Sequence, residues 1–244
     1  MRGGRKRWRG ALDAVATVTM ILASLAVIWA VFASRKVTQS SATSPPRSAP
    51  TRAMPPTPVP LADSPILGRA DAPLAIIEFS DYECPFCAQF HSKTFPLIRA
   101  SHIDSGKALF ALRHLPLERH RFALEAAKAA ECAFRQGRFW PFHEELFRLP
   151  LALDPLSLRS KAAAVGVESA AFESCWTSDI QGRIERDIEL AREIGVRSTP
   201  SFLIGAVLPD NTVQVLRHEA GAIPGAIFTR LLDETLEALR SAPK

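Results

Sequence analysis

Apolar and polar positions divide the chain into three stretches of different texture. Ala14 to Ala33 is a 20-residue run without a charge, rich in Ala, Val, Leu, Ile, Trp and Phe. At a rise of about 1.5 Å per residue it spans about 30 Å, the thickness of a bilayer's hydrocarbon core. Val37 to Asp63 is the opposite: seven prolines among Ser, Thr and Ala, with almost no bulky apolar side chain to build a core. That composition favours extended, polyproline-type chain. From Ser64 onward the pattern is that of a folded domain. Leu74-Ala75-Ile76-Ile77-Glu78-Phe79, after Pro73, is almost wholly apolar, as expected for a strand buried on both faces.

Proline is favoured in the first turn of a helix, so a helix is predicted to open at Cys84-Pro85 and to run toward Ala100. Ala108 to Leu112 predicts a second strand, ended by Pro116. From His120 to Gly195 the apolar spacing turns helical. Phe122 to Arg135 is one helix; Pro141, Pro150 and Pro155 punctuate the stretch after it; Asp179 to Ile194 is amphipathic and closed by Gly195. Ser201–Ile204 and Thr212–Leu216 read as strands joined by a turn at Pro209-Asp210-Asn211, and Ile223 to Leu239 as a last helix. A βαβ unit, a helical block and a ββα unit make the thioredoxin topology with an inserted helical domain. The expected organisation is a basic flank and transmembrane signal-anchor at 1–36, a Pro-rich linker at 37–63, and an α/β domain at 64–244 with its helical insert at about 117–195.

Charge changes the picture in one respect. The formal net charge is +5, which invites a nucleic-acid reading. Arg2, Arg5, Lys6, Arg7, Arg9, Arg35 and Lys36 against Asp13 already give +6, leaving −1 for the remaining 208 residues. The basic character belongs to the N-terminus, so no nucleic-acid partner is expected. With five basic residues before the apolar run and two after it, the positive-inside rule puts the N-terminus in the cytoplasm and the rest outside. A cleaved secretory signal ending at Val31-Phe32-Ala33 is the rival, although its apolar region is usually shorter, about 7–15 residues. Either reading exports the domain. Four cysteines, an even number, fit an oxidising compartment.

The chemistry concentrates in Cys84-Pro85-Phe86-Cys87, between a buried strand and a helix. At a helix N-terminus, free backbone N–H groups and the helix dipole stabilise a thiolate at the first cysteine. The second, one turn along, can attack a mixed disulfide and release a substrate. Half of a zinc site is the other use of Cys-x-x-Cys, but it needs two further ligands at suitable spacing. Cys132 and Cys175 stand 43 residues apart and form no second such motif, so no metal and no cofactor are expected.

Residues 68–91, with Asp71-Ala72-Pro73, Ile77-Glu78-Phe79-Ser80-Asp81-Tyr82 and Cys84-Pro85-Phe86-Cys87, resemble the DsbA-like branch of the thioredoxin superfamily. Gly195-Val196-Arg197-Ser198-Thr199-Pro200-Ser201-Phe202 resembles that family's cis-proline loop. The helical block, including Phe139-Trp140-Pro141-Phe142-His143 and Phe172-Glu173-Ser174-Cys175, resembles its insert. The resemblance implies a thiol–disulfide oxidoreductase with Cys84 as exposed nucleophile and Cys87 as buried resolving thiol. It further implies Pro200 as the cis-proline beside them, and Thr199 as the residue offering its backbone to an extended substrate. Glu78 takes the place of a buried acid that shuttles a proton to or from Cys87, and Phe86 adds an apolar contact for substrates or a membrane partner. It also implies a structural disulfide between Cys132 and Cys175, with two buried thiols or a second catalytic pair as the alternatives. The best-known oxidant of the branch has His where this chain has Phe86, which predicts a less extreme thiolate and a less oxidising couple.

The implied activity is transfer of a disulfide to exported reduced or unfolded proteins. The enzyme would act as a monomer on the extracytoplasmic side of the membrane, reoxidised by a DsbB-like or vitamin-K-epoxide-reductase-like (VKOR-like) membrane partner. A reductase or isomerase of the same compartment runs the chemistry the other way, and a holdase would make the cysteines incidental. Blander readings apply elsewhere. His91, His114 and His120 read as surface or satisfied core residues, Phe139, Trp140 and Phe142 as insert core, and the charges from Arg183 to Arg192 as a solvated helix face.

Overall fold

A computed structural model describes residues 57–178 and 180–241, together with Trp29 and Pro55. Apart from Trp29, the apolar run Ala14–Ala33 lies outside the described residues, and among these no helix is long and apolar enough to cross a membrane. The domain is built on strands β1 (Val59–Pro60), β2 (Ile66–Leu67), β3 (Leu74–Ser80), β4 (Ala108–His114), β5 (Ser201–Val207) and β6 (Thr212–Ala220), in the sheet order β1-β6-β5-β3-β4-β2. β3 runs parallel to β4 and antiparallel to β5. All seven residues of β3 and of β4 are buried, as the continuous apolar runs require.

Alternation along β3 divides the core in two. Ala75, Ile77 and Phe79 pack with Leu203, Val213 and Ala191 on one face. Leu74 and Ile76 pack with Phe90, Phe202 and Phe228 on the other, beneath helices α1 (Pro85–Lys93), α2 (Phe95–Ile98) and α8 (Gly225–Ser241). The same alternation sends Glu78 to the face that α1 covers. β5 crosses β6 through a register shift at Ile204/Gly205. A Cβ on Gly205 would lie 2.0 Å from the Gln214 carbonyl, so only glycine fits that crossing.

Between β4 and β5 lie α3 (Ala123–Arg135), α4 (Phe139–Arg148), α5 (Pro155–Ala164), α6 (Ser169–Trp176) and α7 (Gln181–Glu193). Cys132 of α3 and Cys175 of α6 are joined by a disulfide. In the chain-entropy model, closing a loop of this length contributes about 4 kcal/mol.

Several expectations need correction. The helix expected to run from Cys84 to Ala100 ends at Lys93 and is followed by α2 and a π-helical turn, Arg99–Ile103, because Pro96 has no N–H to continue the ladder. The linker expected to reach Asp63 ends sooner: Val59–Pro60 pairs with Val213 and Thr212, and Leu61 is buried. Trp140 is not confined to the insert core; it packs against both the insert cluster and the sheet cluster and donates from Nε1 to the Ile66 carbonyl at 2.9 Å.

The charges from Arg183 to Arg192 are not all solvated. Arg183 and Asp187 are buried, one turn apart, facing inward. Asp187 accepts from Arg113 Nη1 at 2.7 Å and from the His114 backbone N–H at 2.9 Å. Arg183 donates from Nε to Glu131 at 2.7 Å and also from Nη2, and His114 Nε2 lies 2.9 Å from the same carboxylate. Arg113 also donates to the Pro60 carbonyl. This network ties α3 and α7 to the end of β4 and to β1. Burial pushes the Glu131 carboxyl up, but hydrogen bonds from Arg183 and His114 outweigh it and hold it at about 2. Its folded value lies below its usual 4.5. The stability it contributes is therefore complete above pH 4.5 and is lost as pH falls toward 2. Glu131→Gln, which leaves Arg183 with Asp187 at 3.4 Å as its remaining anionic partner, is expected to cost about 3 kcal/mol at pH 7 in urea unfolding. The gap to wild type should narrow as pH is lowered through 4.5 toward 2. A variant as stable as wild type at pH 7 would remove the network from the account.

Candidate functional site

The turn after β3 is held before any cysteine is reached. Asp81 Oδ1 accepts from the Glu83 N–H at 2.8 Å; its Oδ2 lies 2.8 Å from the Leu117 N–H and 2.7 Å from His120 Nδ1. Glu83 Oε2 accepts from the Phe122 N–H at 2.6 Å. Cys84 donates its own N–H to the Asp81 carbonyl at 3.1 Å and takes the N-cap position of α1 in extended conformation (φ −74°, ψ 121°). Pro85 stands at the first helical position, where its missing N–H is not needed.

Facing this turn is the loop before β5, in which the Thr199–Pro200 peptide is cis. The Cys84 thiol donates to the Thr199 carbonyl at 3.4 Å. The two distant segments named from the sequence thus meet at the Cys84 sulfur, 115 positions apart. Cys84 was expected to be exposed, yet it is only 2% accessible; Thr199 closes over its sulfur, and its side chain packs with Tyr82 and Cys87 in the cluster that includes the insert. Cys87 is fully buried and Phe86 is 58% exposed.

The two thiols are electrostatically unlike. A hydrogen bond from Cys87 is the largest influence on Cys84; burial opposes it, while Thr199 and the backbone N–H groups of Cys87 and Phe86 reinforce it. The result is a thiol lowered from 9.0 to about 5. Burial pushes Cys87 well above its usual value, helped by the hydrogen bond to Cys84 and by the negative charge of Glu78. Among the described residues the buried Thr199 hydroxyl makes no other hydrogen bond, which leaves it to donate to a Cys84 thiolate, the interaction by which Thr199 lowers that thiol.

Glu78, fully buried, accepts from Ser80 Oγ at 2.8 Å and has His91 Nε2 at 2.8 Å from its second oxygen. His91 is thus a satisfied core residue, but it belongs to this site. His143 Nε2 lies 3.3 Å from His91 Nδ1, and the Tyr82 hydroxyl 3.1 Å from His143 Nδ1. Burial holds His143 well below and Tyr82 well above their usual values. Sequence reasoning missed this chain of groups. One signal was available: Cys87 and His91 are four residues apart, on one face of a helix. Among the described residues no group of His, Cys, Asp and Glu could hold a metal ion.

A family model described as Thioredoxin matches residues 61–216. Over 143 residues the chain is 35% identical to Na(+)/H(+) antiporter NhaA 1 of Mycolicibacterium gilvum, covering 57% of this chain and 23% of that protein. The chain spans less than a quarter of the length of these antiporter relatives. Disulfide bond formation protein D of Bacillus subtilis is 27% identical over 157 residues, covering 57% of this chain and 67% of that one. Among solved structures, alpha-DsbA1 of Wolbachia pipientis superposes with a TM-score of 0.66 at 27% identity, covering 75% of this chain and 95% of that chain. BdbD from Bacillus subtilis superposes at 0.63 with 23% identity, covering 77% and 100%, a likeness of fold.

Iodoacetamide should react with Cys84 of the reduced protein in proportion to its thiolate, with a midpoint at about pH 5. Thr199→Val, which removes the free hydroxyl, should raise that midpoint by about one pH unit. A midpoint above 8, or Cys87 reacting first, would show that the site does not separate the two thiols.

Proposed function

Because the chain belongs to the thioredoxin family, we propose that it is a DsbA-like thiol–disulfide oxidoreductase that introduces disulfides into exported proteins. The observation that carries this reading is the meeting of the Cys84-Pro85-Phe86-Cys87 turn with the Thr199–Pro200 loop, Cys84 Sγ lying 3.4 Å from the Thr199 carbonyl. Cys84 and Cys87, joined as a disulfide, receive a substrate thiolate at Cys84; a bond forms between substrate sulfur and Cys84, and Cys87 leaves with the electron pair. A second substrate thiolate then displaces Cys84. A thiol held near 5 is a good leaving group at neutral pH, and a stabilised thiolate favours the reduced enzyme, hence oxidation of the substrate.

Once Cys84 is in a mixed disulfide it has no S–H to give, and the Thr199 carbonyl is released to accept from the N–H of an extended substrate segment. Phe86, exposed beside the nucleophile, supplies apolar contact. Glu78 serves Cys87 as proton donor and acceptor. The apolar run Ala14–Ala33 would anchor the chain in the membrane with the domain on the extracytoplasmic side, and the Pro-rich segment would let it reach substrates and a quinone-linked membrane oxidase (DsbB-like or VKOR-like) that reoxidises it.

Equilibration of the Cys84–Cys87 pair with glutathione should give a potential more oxidising than thioredoxin's, about −270 mV. A value at or below that would make the enzyme a reductase. Cys84→Ser should abolish exchange, and Cys87→Ala should accumulate mixed disulfides at Cys84. Exchange that survives Cys84→Ser would leave the binding or holdase reading in place.

A further inference from the structure

Cys87 becomes a thiolate each time the disulfide opens, in a place where burial makes that charge costly. It needs a proton, and both Cys87 and Glu78 are fully buried. The route to solvent is the question the site leaves open.

The hydrogen bonds admit an arrangement of protons in which every contact is made. In it the Tyr82 hydroxyl donates to His143 Nδ1, its one partner among the described residues. His143 then carries its proton on Nε2 and gives it to His91 Nδ1, 3.3 Å away. His91 therefore holds its own proton on Nε2, aimed at Glu78 Oε2 at 2.8 Å. Every donor in the chain points inward, toward the acid whose charge acts on Cys87. At the other end, His91 and His143 line a groove of about 430 Å³ with Phe95, Phe147, Glu144 and Arg148. His91 keeps about 5% of its side chain accessible there. The charged and titratable groups facing His91 are thus Glu78 from β3, and His143, Glu144 and Arg148 from α4.

We propose that His91 is the proton relay between this groove and Cys87, passing its Nε2 proton through Glu78 when the disulfide opens, with His143 and Tyr82 positioning its ring. This rests on the reading of Cys84 and Cys87 as the redox pair. In the opening step the incoming thiolate contributes the electron pair of its new bond to Cys84. The pair of the broken bond stays on Cys87. Once the His143 contact, which is at the long edge of hydrogen-bond range, gives way, His91 takes a proton from solvent in the groove at Nδ1 and becomes an imidazolium. It gives its Nε2 proton to the Glu78 carboxylate, which passes a proton on to the Cys87 thiolate, so that Glu78 ends ionised and His91 neutral with its proton on Nδ1. Closure of the disulfide runs the same transfers outward. His91 is a positioning and relay residue; it does not touch the reacting sulfurs.

The test monitors the opening of the oxidised full-length protein by dithiothreitol at neutral pH, trapped with acid and alkylation. His91→Ala should open about tenfold or more slowly, general acid assistance being worth at least that. Imidazole in the buffer, entering through the widened groove, should restore the rate, while pyrazole, of the same size and a far weaker base, should not. Wild-type speed in His91→Ala, or equal restoration by both heterocycles, would overturn the relay and leave packing as the residue's role. Should His91→Ala not fold, His91→Gln keeps a hydrogen bond to Glu78 but cannot pass a proton; opening at the wild-type rate would likewise overturn the relay. Cys84→Ser in the His91 background separates the two readings, since exchange that persists without Cys84 defeats the redox pair itself, whereas the outcomes above defeat only the relay.

Discussion

The exclusion of water from Cys87 is the constraint on which the rest of the site depends. Burial pushes the Cys87 thiol well up, so that it keeps its proton and lowers the Cys84 thiol beside it. That exclusion comes from the insert: Cys87 shares a cluster with Ala126, Ala129, Phe142 and Phe172. The helical block is therefore part of the electrostatics of the cysteine pair. The block is fastened by the Cys132–Cys175 disulfide and by the ion pairs of Arg113, Asp187, Arg183 and Glu131, which hold that cover in place.

These fastenings and the redox groups lie at the same edge of the sheet. β3 and β4 are its parallel pair, with Glu78 opposite Leu112, Phe79 opposite Arg113 and Ser80 opposite His114. Both strands are apolar until their carboxyl ends, where Glu78, Ser80, Arg113 and His114 appear together. Crevices beyond the carboxyl ends of parallel strands are where α/β folds place their chemistry. Buried charges there are expensive unless each has its partner. Glu78 has Ser80 and His91, and Glu131 has Arg183 and His114. Tyr82 lies between the two sets, 6.0 Å from the His114 ring and hydrogen-bonded to His143.

Much of this was legible in the chain. Leu74–Phe79 could only be a strand buried on both faces, Cys84-Pro85 had the form of a helix start, and Thr199-Pro200 marked the loop that faces it. What escaped had physical reasons. Arg183 and Asp187, four apart on a helix, have the same spacing whether they face water or a buried partner, and the partners Glu131 and Arg113 are 52 and 74 positions away. Val59–Pro60 is two residues of strand inside a composition that describes an extended linker, and pairing with β6 is a tertiary event that no local pattern announces. The exposure of Cys84 was what the family resemblance implied. A resemblance between motifs does not say how closely a loop 115 positions on covers the sulfur.

Phe86 bears on how far one residue between the cysteines governs the chemistry. Where the best-known oxidant of the branch has histidine, a phenylalanine predicts a weaker thiolate. The value of about 5 for Cys84 lies above the roughly 3.5 of DsbA and below the roughly 7 of thioredoxin. The groups that hold it there are the Cys87 thiol, Thr199 and two backbone N–H groups, one of them that of Phe86. None uses the side chain at position 86. A main-chain donor is present whatever residue stands there, so the exchange of His for Phe removes one contribution and leaves the frame intact. What the exchange alters most is the surface: a ring 58% exposed beside the nucleophile offers apolar area where a histidine would offer a charge. Under the proposed function, position 86 therefore bears more on which partner is held against Cys84 than on whether Cys84 ionises.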